Sequence, residues 1–137
     1  KGLSTYAFYG KENHRPGHMT DAFVKNYGVA YTYNAVSVGY TYKNYADAKA
    51  VGNSTTDENK ERHYGLAYAV NKDMTVALLK ATAEGVGDTV KETVKSIQVG
   101  YNLGPVGMVA GYGVADNIAN TAANDSKAVF VRLIGAF

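Results

Sequence analysis

The feature that most constrains this chain is a side-chain alternation of period two that recurs along most of its length. In Tyr27-Gly28-Val29-Ala30-Tyr31-Thr32-Tyr33 the odd positions are bulky and the even ones small. Val36-Ser37-Val38-Gly39-Tyr40-Thr41-Tyr42-Lys43 repeats the scheme, as does Tyr64-Gly65-Leu66-Ala67-Tyr68-Ala69-Val70. It returns in Ile97-Gln98-Val99-Gly100-Tyr101-Asn102-Leu103, in Val106-Gly107-Met108-Val109-Ala110-Gly111-Tyr112-Gly113, and in the stretch from Val129 to Phe137. Successive residues of a strand point to opposite faces, so each stretch is a ribbon with one bulky apolar face and one slender face. Residues 3–10 and 74–82 also read as extended, with less regular alternation. Eight strands are expected, each near the roughly 9–11 residues a tilted membrane strand needs.

The expected connections alternate in length. Short turns fall at Asn34-Ala35, Asn71-Lys72-Asp73 and Gly104-Pro105, which are turn-forming residues. Long polar loops are expected at 11–21, 47–61, 85–91 and 116–126. Short turns on one side and long loops on the other are the layout of an outer-membrane barrel. A helix over residues 96–115 is rejected: the stretch of 20 residues is uncharged, but holds Pro105 and five glycines. Each of those glycines costs a helix about 1 kcal/mol relative to alanine.

The fold class expected is therefore all-β, a single transmembrane antiparallel up-and-down barrel domain over residues 1–137. Backbone groups in hydrocarbon need internal partners, so such a sheet must close. The bulky set (Tyr27, Val29, Tyr31, Val36, Val38, Tyr40, Leu66, Tyr68, Val70, Ile97, Val99, Met108, Val131, Leu133) would face lipid. Tyrosines near strand ends would form interfacial girdles. The competing reading is a soluble β-sandwich with the same stripe as its core, which would bury many tyrosine hydroxyls in need of partners.

Composition narrows the classes further. The 14 Lys+Arg nearly balance the 12 Asp+Glu, and the basic residues are scattered, so no nucleic-acid partner is expected. There is no cysteine, which removes disulfides, thiolate metal sites and thiol nucleophiles. The opening Lys1-Gly2-Leu3-Ser4-Thr5-Tyr6 lacks the apolar core of a leader, so a cleaved leader or a longer parent is expected. No serine, carboxylate pair or phosphate loop is placed for catalysis. Gly111-Tyr112-Gly113 misses the dinucleotide pattern because Asp116 holds the third glycine position. The protein is not expected to be an enzyme.

Several of these units are familiar. Asn26-Tyr27-Gly28-Val29-Ala30-Tyr31-Thr32-Tyr33, the run from Arg62 to Ala77, and Gln98-Val99-Gly100-Tyr101-Asn102-Leu103 with its glycine-rich return strand resemble the Gram-negative general porins. The terminal Phe137, with Leu133, Val131 and Val129 spaced by two, resembles the signal read by barrel-assembly machinery. The resemblance implies the C-terminal half of a sixteen-stranded, homotrimeric barrel in the bacterial outer membrane, surrounded by outer-membrane lipid and lipopolysaccharide. It implies passive diffusion of small hydrophilic solutes and ions. Porins of this kind are about twice this length, and their constriction loop lies in the half that this chain does not include. The alternative is a complete eight-stranded barrel with a structural or adhesion role and no open pore. So small a barrel must fill its interior with side chains, whereas the inward set here is mostly glycine, alanine and threonine.

By alternation Lys43, His63, Gln98 and Arg132 point inward and are the candidate pore-lining residues. A basic wall facing acidic groups across a wet constriction sets up a transverse field that tunes ion selectivity. The plainer reading makes each a solvated wall residue. Lys25, Lys80 and Lys95 share a parity with the apolar face and are expected near the rim, reaching to headgroups. His14 and His18 flank Arg15-Pro16-Gly17 without the ligand set of a metal site. Asp116, Asn117, Asn120, Asn124 and Asp125 offer oxygens for Ca²⁺ but not in EF-hand spacing. No metal or other cofactor is expected beyond that calcium option.

Overall fold

The alternating segments form one continuous sheet. The computed structural model describes residues 1–12, 22–46, 58–85 and 88–135 of the 137. Its strands are β1 (Gly2–Glu12), β2 (Ala22–Tyr33), β3 (Val36–Ala46), β4 (Glu58–Ala69), β5 (Met74–Gly85), β6 (Glu92–Asn102), β7 (Val106–Asp116) and β8 (Ser126–Gly135). Each pairs antiparallel with its neighbour in chain order, β1 through β8. The sheet is open: no ladder joins β8 to β1.

Register is set by the side-chain pattern. One row of paired residues crosses all eight strands as Leu3, Tyr31, Val38, Leu66, Leu78, Ile97, Tyr112 and Val129. The adjacent row on the opposite face reads Ser4, Ala30, Gly39, Gly65, Leu79, Ser96, Gly113 and Ala128. A slip of one residue on any strand would drop a bulky side chain among the small ones. The two faces therefore stay chemically distinct along these rows except at β5, where Leu78 and Leu79 make both bulky.

Neither face packs against a second layer of the described residues. Ala46 and Asn44 are the only buried side chains among them. Every member of the apolar row is exposed, from 42% at Tyr31 to 78% at Val129. Fully burying such a side chain is worth roughly 1.5–3 kcal/mol. A row of this kind left in water thus forfeits on the order of 10 kcal/mol, comparable to the whole stability of a domain. Among the described residues no second sheet packs on the stripe.

The short turns are built by asparagines. Asn34 takes φ 51° between β2 and β3. The Asn71 side-chain oxygen accepts from the backbone N–H of Asp73 and Met74, at 2.9 Å each. Asn102 Oδ1 accepts from Gly104 N at 3.0 Å, and Gly104 sits at φ 89°, a conformation that suits only a residue without Cβ. Residues 96–115 form the β6–β7 hairpin, and no helix among the described residues is long and apolar enough to cross a membrane.

The strands run further than hydropathy alone indicates. β1 continues to Glu12, β4 begins at Glu58 and β5 reaches Gly85, all inside expected loops, while β6 starts at Glu92, directly after one. Backbone pairing such as Lys43↔Glu61 and Ala83↔Glu92 carries the ladder on after both faces have become polar. On β3 to β6 the upper limit of the bulky apolar set descends from Tyr42 through Tyr64 to Leu78 and Ile97. In register this is four residues over three strand steps. A level boundary across strands tilted by about 40° and spaced about 4.8 Å shifts by roughly one residue per strand.

Candidate functional site

The small-residue face carries the polar groups that the sequence singles out. Lys43, His63, Gln98 and Arg132 all lie on it, as their partners Glu61, Thr41, Gly111 and Val109 fix. Only the first two come together. Lys43 on β3 pairs directly with Glu61 on β4, their charged atoms 3.9 Å apart. His63, two residues along β4 on the same face, brings Nε2 to 3.6 Å from the other Glu61 oxygen. The Lys43 ammonium also stands 4.4 Å from the centre of the Tyr45 ring. Glu61 thus links two groups of the expected basic wall. It is the least exposed of the three side chains, at 28% against 39% for Lys43 and 53% for His63.

Gln98 and Arg132 stand apart from this cluster. Gln98 Nε2 donates to Ser96 Oγ at 3.3 Å on its own strand. Arg132 is the seventh of ten residues in β8, toward the short-turn end of an edge strand. Five strand spacings of about 4.8 Å separate β8 from β3. The polar wall is therefore distributed. Its charge is concentrated near the long-loop end of β3 and β4.

Glu61 was not singled out because it closes the expected loop 47–61, within the charged run Glu58-Asn59-Lys60-Glu61-Arg62. Read at strand period, that run sends Lys60 and Arg62 to one face and Glu61 to the other. Glu92, just past the expected loop 85–91, was not singled out either. It lies on the small-residue face, and its Oε2 accepts from Ala119 N at 2.9 Å. Asn120 Oδ1 returns the bond by accepting from Glu92 N at 3.0 Å, and Asn117 Nδ2 donates to Lys91 O at 3.2 Å. The β7–β8 connection is thereby pinned to the head of β6.

The other asparagine and aspartate bonds of that connection go to its own backbone. Asp125 Oδ1 accepts from Asn117 N at 3.0 Å, and Asn117 Oδ1 from Ala123 N at 3.3 Å. Among the described residues no three His, Asp or Glu come together as a metal-holding group. His14, His18 and Phe137 lie outside the described residues; Val131 and Leu133 are exposed on the apolar face of β8.

Edge strands cover glycines on this same face. The Tyr6 ring of β1 lies over Gly28, where an added Cβ would come within 2.5 Å of it. Its hydroxyl contacts Asn26 Oδ1 at 3.2 Å and Thr41 Oγ1 at 3.3 Å. At the other edge the Phe130 ring of β8 lies over Gly111, 2.6 Å from a Cβ built there.

The apolar face holds a tyrosine cluster. Ring centres of Tyr27 and Tyr42 are 5.1 Å apart, those of Tyr40 and Tyr64 5.2 Å, and those of Tyr27 and Tyr40 6.4 Å. Tyr40 and Tyr64 lie within their strands, not at the ends where girdle residues were expected. Charged pairs gather on this face toward the long loops: Arg62 with Glu84 at 3.0 Å and Lys95 with Asp116 at 3.3 Å. Lys25, Lys80 and Lys95 keep the expected parity. Lys80, however, sits seventh of twelve residues in β5, directly opposite Lys95, instead of at a strand end.

Comparison with known proteins returns no match to a family model, a curated protein or a solved structure.

Proposed function

We propose that this chain is a wall segment of a water-filled outer-membrane channel that passes small hydrophilic solutes and ions by passive diffusion. The carrying observation is the unbroken row of bulky apolar side chains, exposed across all eight strands, backed by a row that is small at every strand but β5, where Leu79 stands in it. Acyl chains are the environment in which such a row costs nothing to expose, and strands of 10–12 residues match a bilayer crossing. Hydrocarbon also requires the open edges at β1 and β8 to find partners. The two edges run antiparallel, so further up-and-down strands extend the sheet to closure without changing its pattern.

Exposure along β8 supports placing water on the slender side. Phe130 and Ile134 are 36% and 48% exposed, whereas Val129, Val131 and Leu133 on the apolar face reach 78%, 67% and 66%. Side chains on a concave face shield one another in this way. Glycines and alanines lining that face leave room for a lumen wider than eight strands alone enclose. In this reading Lys43, Glu61, His63, Gln98 and Arg132 border the water, and the assembled channel is a homotrimer inserted by the barrel-assembly machinery among lipopolysaccharide and phospholipid.

The test is electrical. Reconstituted into planar bilayers, the intact protein is expected to give stepwise conductance that grows with salt. Silence from protein that is folded, as shown by its heat-modifiable electrophoretic mobility, would favour a closed eight-stranded anchor instead.

A further inference from the structure

The Lys43–Glu61–His63 cluster is the one place among the described residues of the slender face where opposite charges meet across strands and a histidine joins them. Glu61 lies between a permanent cation, 3.9 Å away, and an imidazole, 3.6 Å away. We propose that Glu61 is a specificity-determining residue of the channel wall, and that protonation of His63 beside it raises the preference for anions as pH falls. The proposal rests on the channel reading above.

The charge arithmetic is local. With a neutral imidazole, Lys43 and Glu61 cancel and the cluster carries no net charge. With a protonated imidazole the single carboxylate faces two cations, and the cluster carries one positive charge. Histidine is the side chain that ordinarily changes charge between about pH 5 and 8.

The neighbours do not buffer this change. From β3 the face presents Thr41, Lys43 and Tyr45 to His63 and Glu61; from β5 it presents Ala81 and Ala83, which are uncharged. Beyond β3, Tyr6 reaches Thr41 with its hydroxyl. Beyond Ala83, Glu92 is held by the Ala119 backbone N–H. A single added charge acts over a Debye length of about 8 Å at physiological salt, a distance that spans the cluster and the water in front of it.

The experiment is the zero-current potential of the intact protein in planar bilayers under a KCl gradient, at pH 8 and pH 5. Wild type is expected to raise its chloride-to-potassium permeability ratio about twofold on acidification, the scale of one charge on a solvated wall. In His63→Gln, with His63→Asn as the substitute should the first not assemble, less than half of that rise is expected. In Glu61→Gln, Lys43 loses its counter-charge, so the ratio is expected to be higher than wild type already at pH 8. A full wild-type response to pH in the His63 variants, or an unchanged ratio at pH 8 in Glu61→Gln, overturns the proposal while leaving the channel intact. Folded wild type without any conductance overturns the channel reading instead.

Discussion

At Gly111 an added Cβ would lie 2.6 Å from the Phe130 ring and 2.9 Å from the Ile97 carbonyl oxygen, whereas at Gly28 it would first meet the Tyr6 ring, at 2.5 Å. At Gly28 the three nearest atoms, 2.5 to 3.0 Å away, all belong to that ring and its hydroxyl, and this difference decides two substitutions that look alike in sequence. A ring held by one side-chain torsion can swing aside; a ladder carbonyl cannot move without its strand. Gly111→Ala is therefore expected to destabilise by about 1–3 kcal/mol, the usual cost of overpacking, and Gly28→Ala by less. Adding Phe130→Ala to Gly111→Ala is expected to recover only part of the loss. Urea unfolding from detergent or vesicles measures both, and equal costs at the two glycines would show that the backbone contact is immaterial. The tight site was partly legible: glycine on the small face of a strand suggests close approach. That the ring of Phe130 fills the approach was not, because register between β7 and β8 decides which residue lies alongside.

Adjacent residues on a strand point to opposite faces, so the element scale supplies the sharpest contrast. Leu66 belongs to the apolar row and Ala67, its neighbour, to the small face. Leu66→Lys is expected to cost roughly 2–4 kcal/mol, the range for a cation near the bilayer midplane. Ala67→Lys is expected to fall within about 0.5 kcal/mol of wild type, as for a solvated surface change. Folding yield into vesicles together with urea midpoints reads both, and a reversed order would exchange lipid and water between the two faces. The ends of the elements carry a second expectation. Glu92→Ala removes the acceptor for Ala119 N, so protease is expected to cut within residues 117–125 several times faster than in wild type, with β7 and β8 intact. Cleavage at an unchanged rate would mean that the remaining bonds through Asn117 and Asn120 suffice. Strand ends were the poorly legible part of each element. Hydropathy stops alternating where both faces meet polar surroundings, yet the ladder continues through Lys43↔Glu61 and Ala83↔Glu92.

For the whole molecule, a sheet with two unpaired edges and an apolar face that no described residue covers is expected to be unstable alone in water. Transferred from detergent to buffer without lipid, the protein is expected to aggregate. In bilayers it is expected to resist unfolding until heated, with β-sheet circular dichroism and conductance lost in the same step. Sheet content that persists unchanged in dilute detergent-free buffer, with the protein monomeric, would remove the lipid from this account. The same openness bears on assembly. Even strand number leaves β1 and β8 antiparallel, so any partner with an even number of up-and-down strands closes the ring in the same sense.

The alternation, read by itself, determined that the chain is all-β, that it has eight strands joined alternately by short and long connections, and that one face is bulky while the other is slender. Those properties depend only on the period of two that a strand imposes and on where asparagine and glycine permit the chain to turn. Which polar residues meet was decided by the tertiary structure. Lys43, Glu61 and His63 converge because β3 and β4 pair with their residue numbers summing to 104, as in Lys43↔Glu61. Gln98 and Arg132, equally eligible by parity, are left apart by strand order. Parity is a local property of one strand and shows in a few residues of sequence. Proximity across strands needs register, and register is settled by all seven ladders satisfying their backbone groups and matching their faces at once.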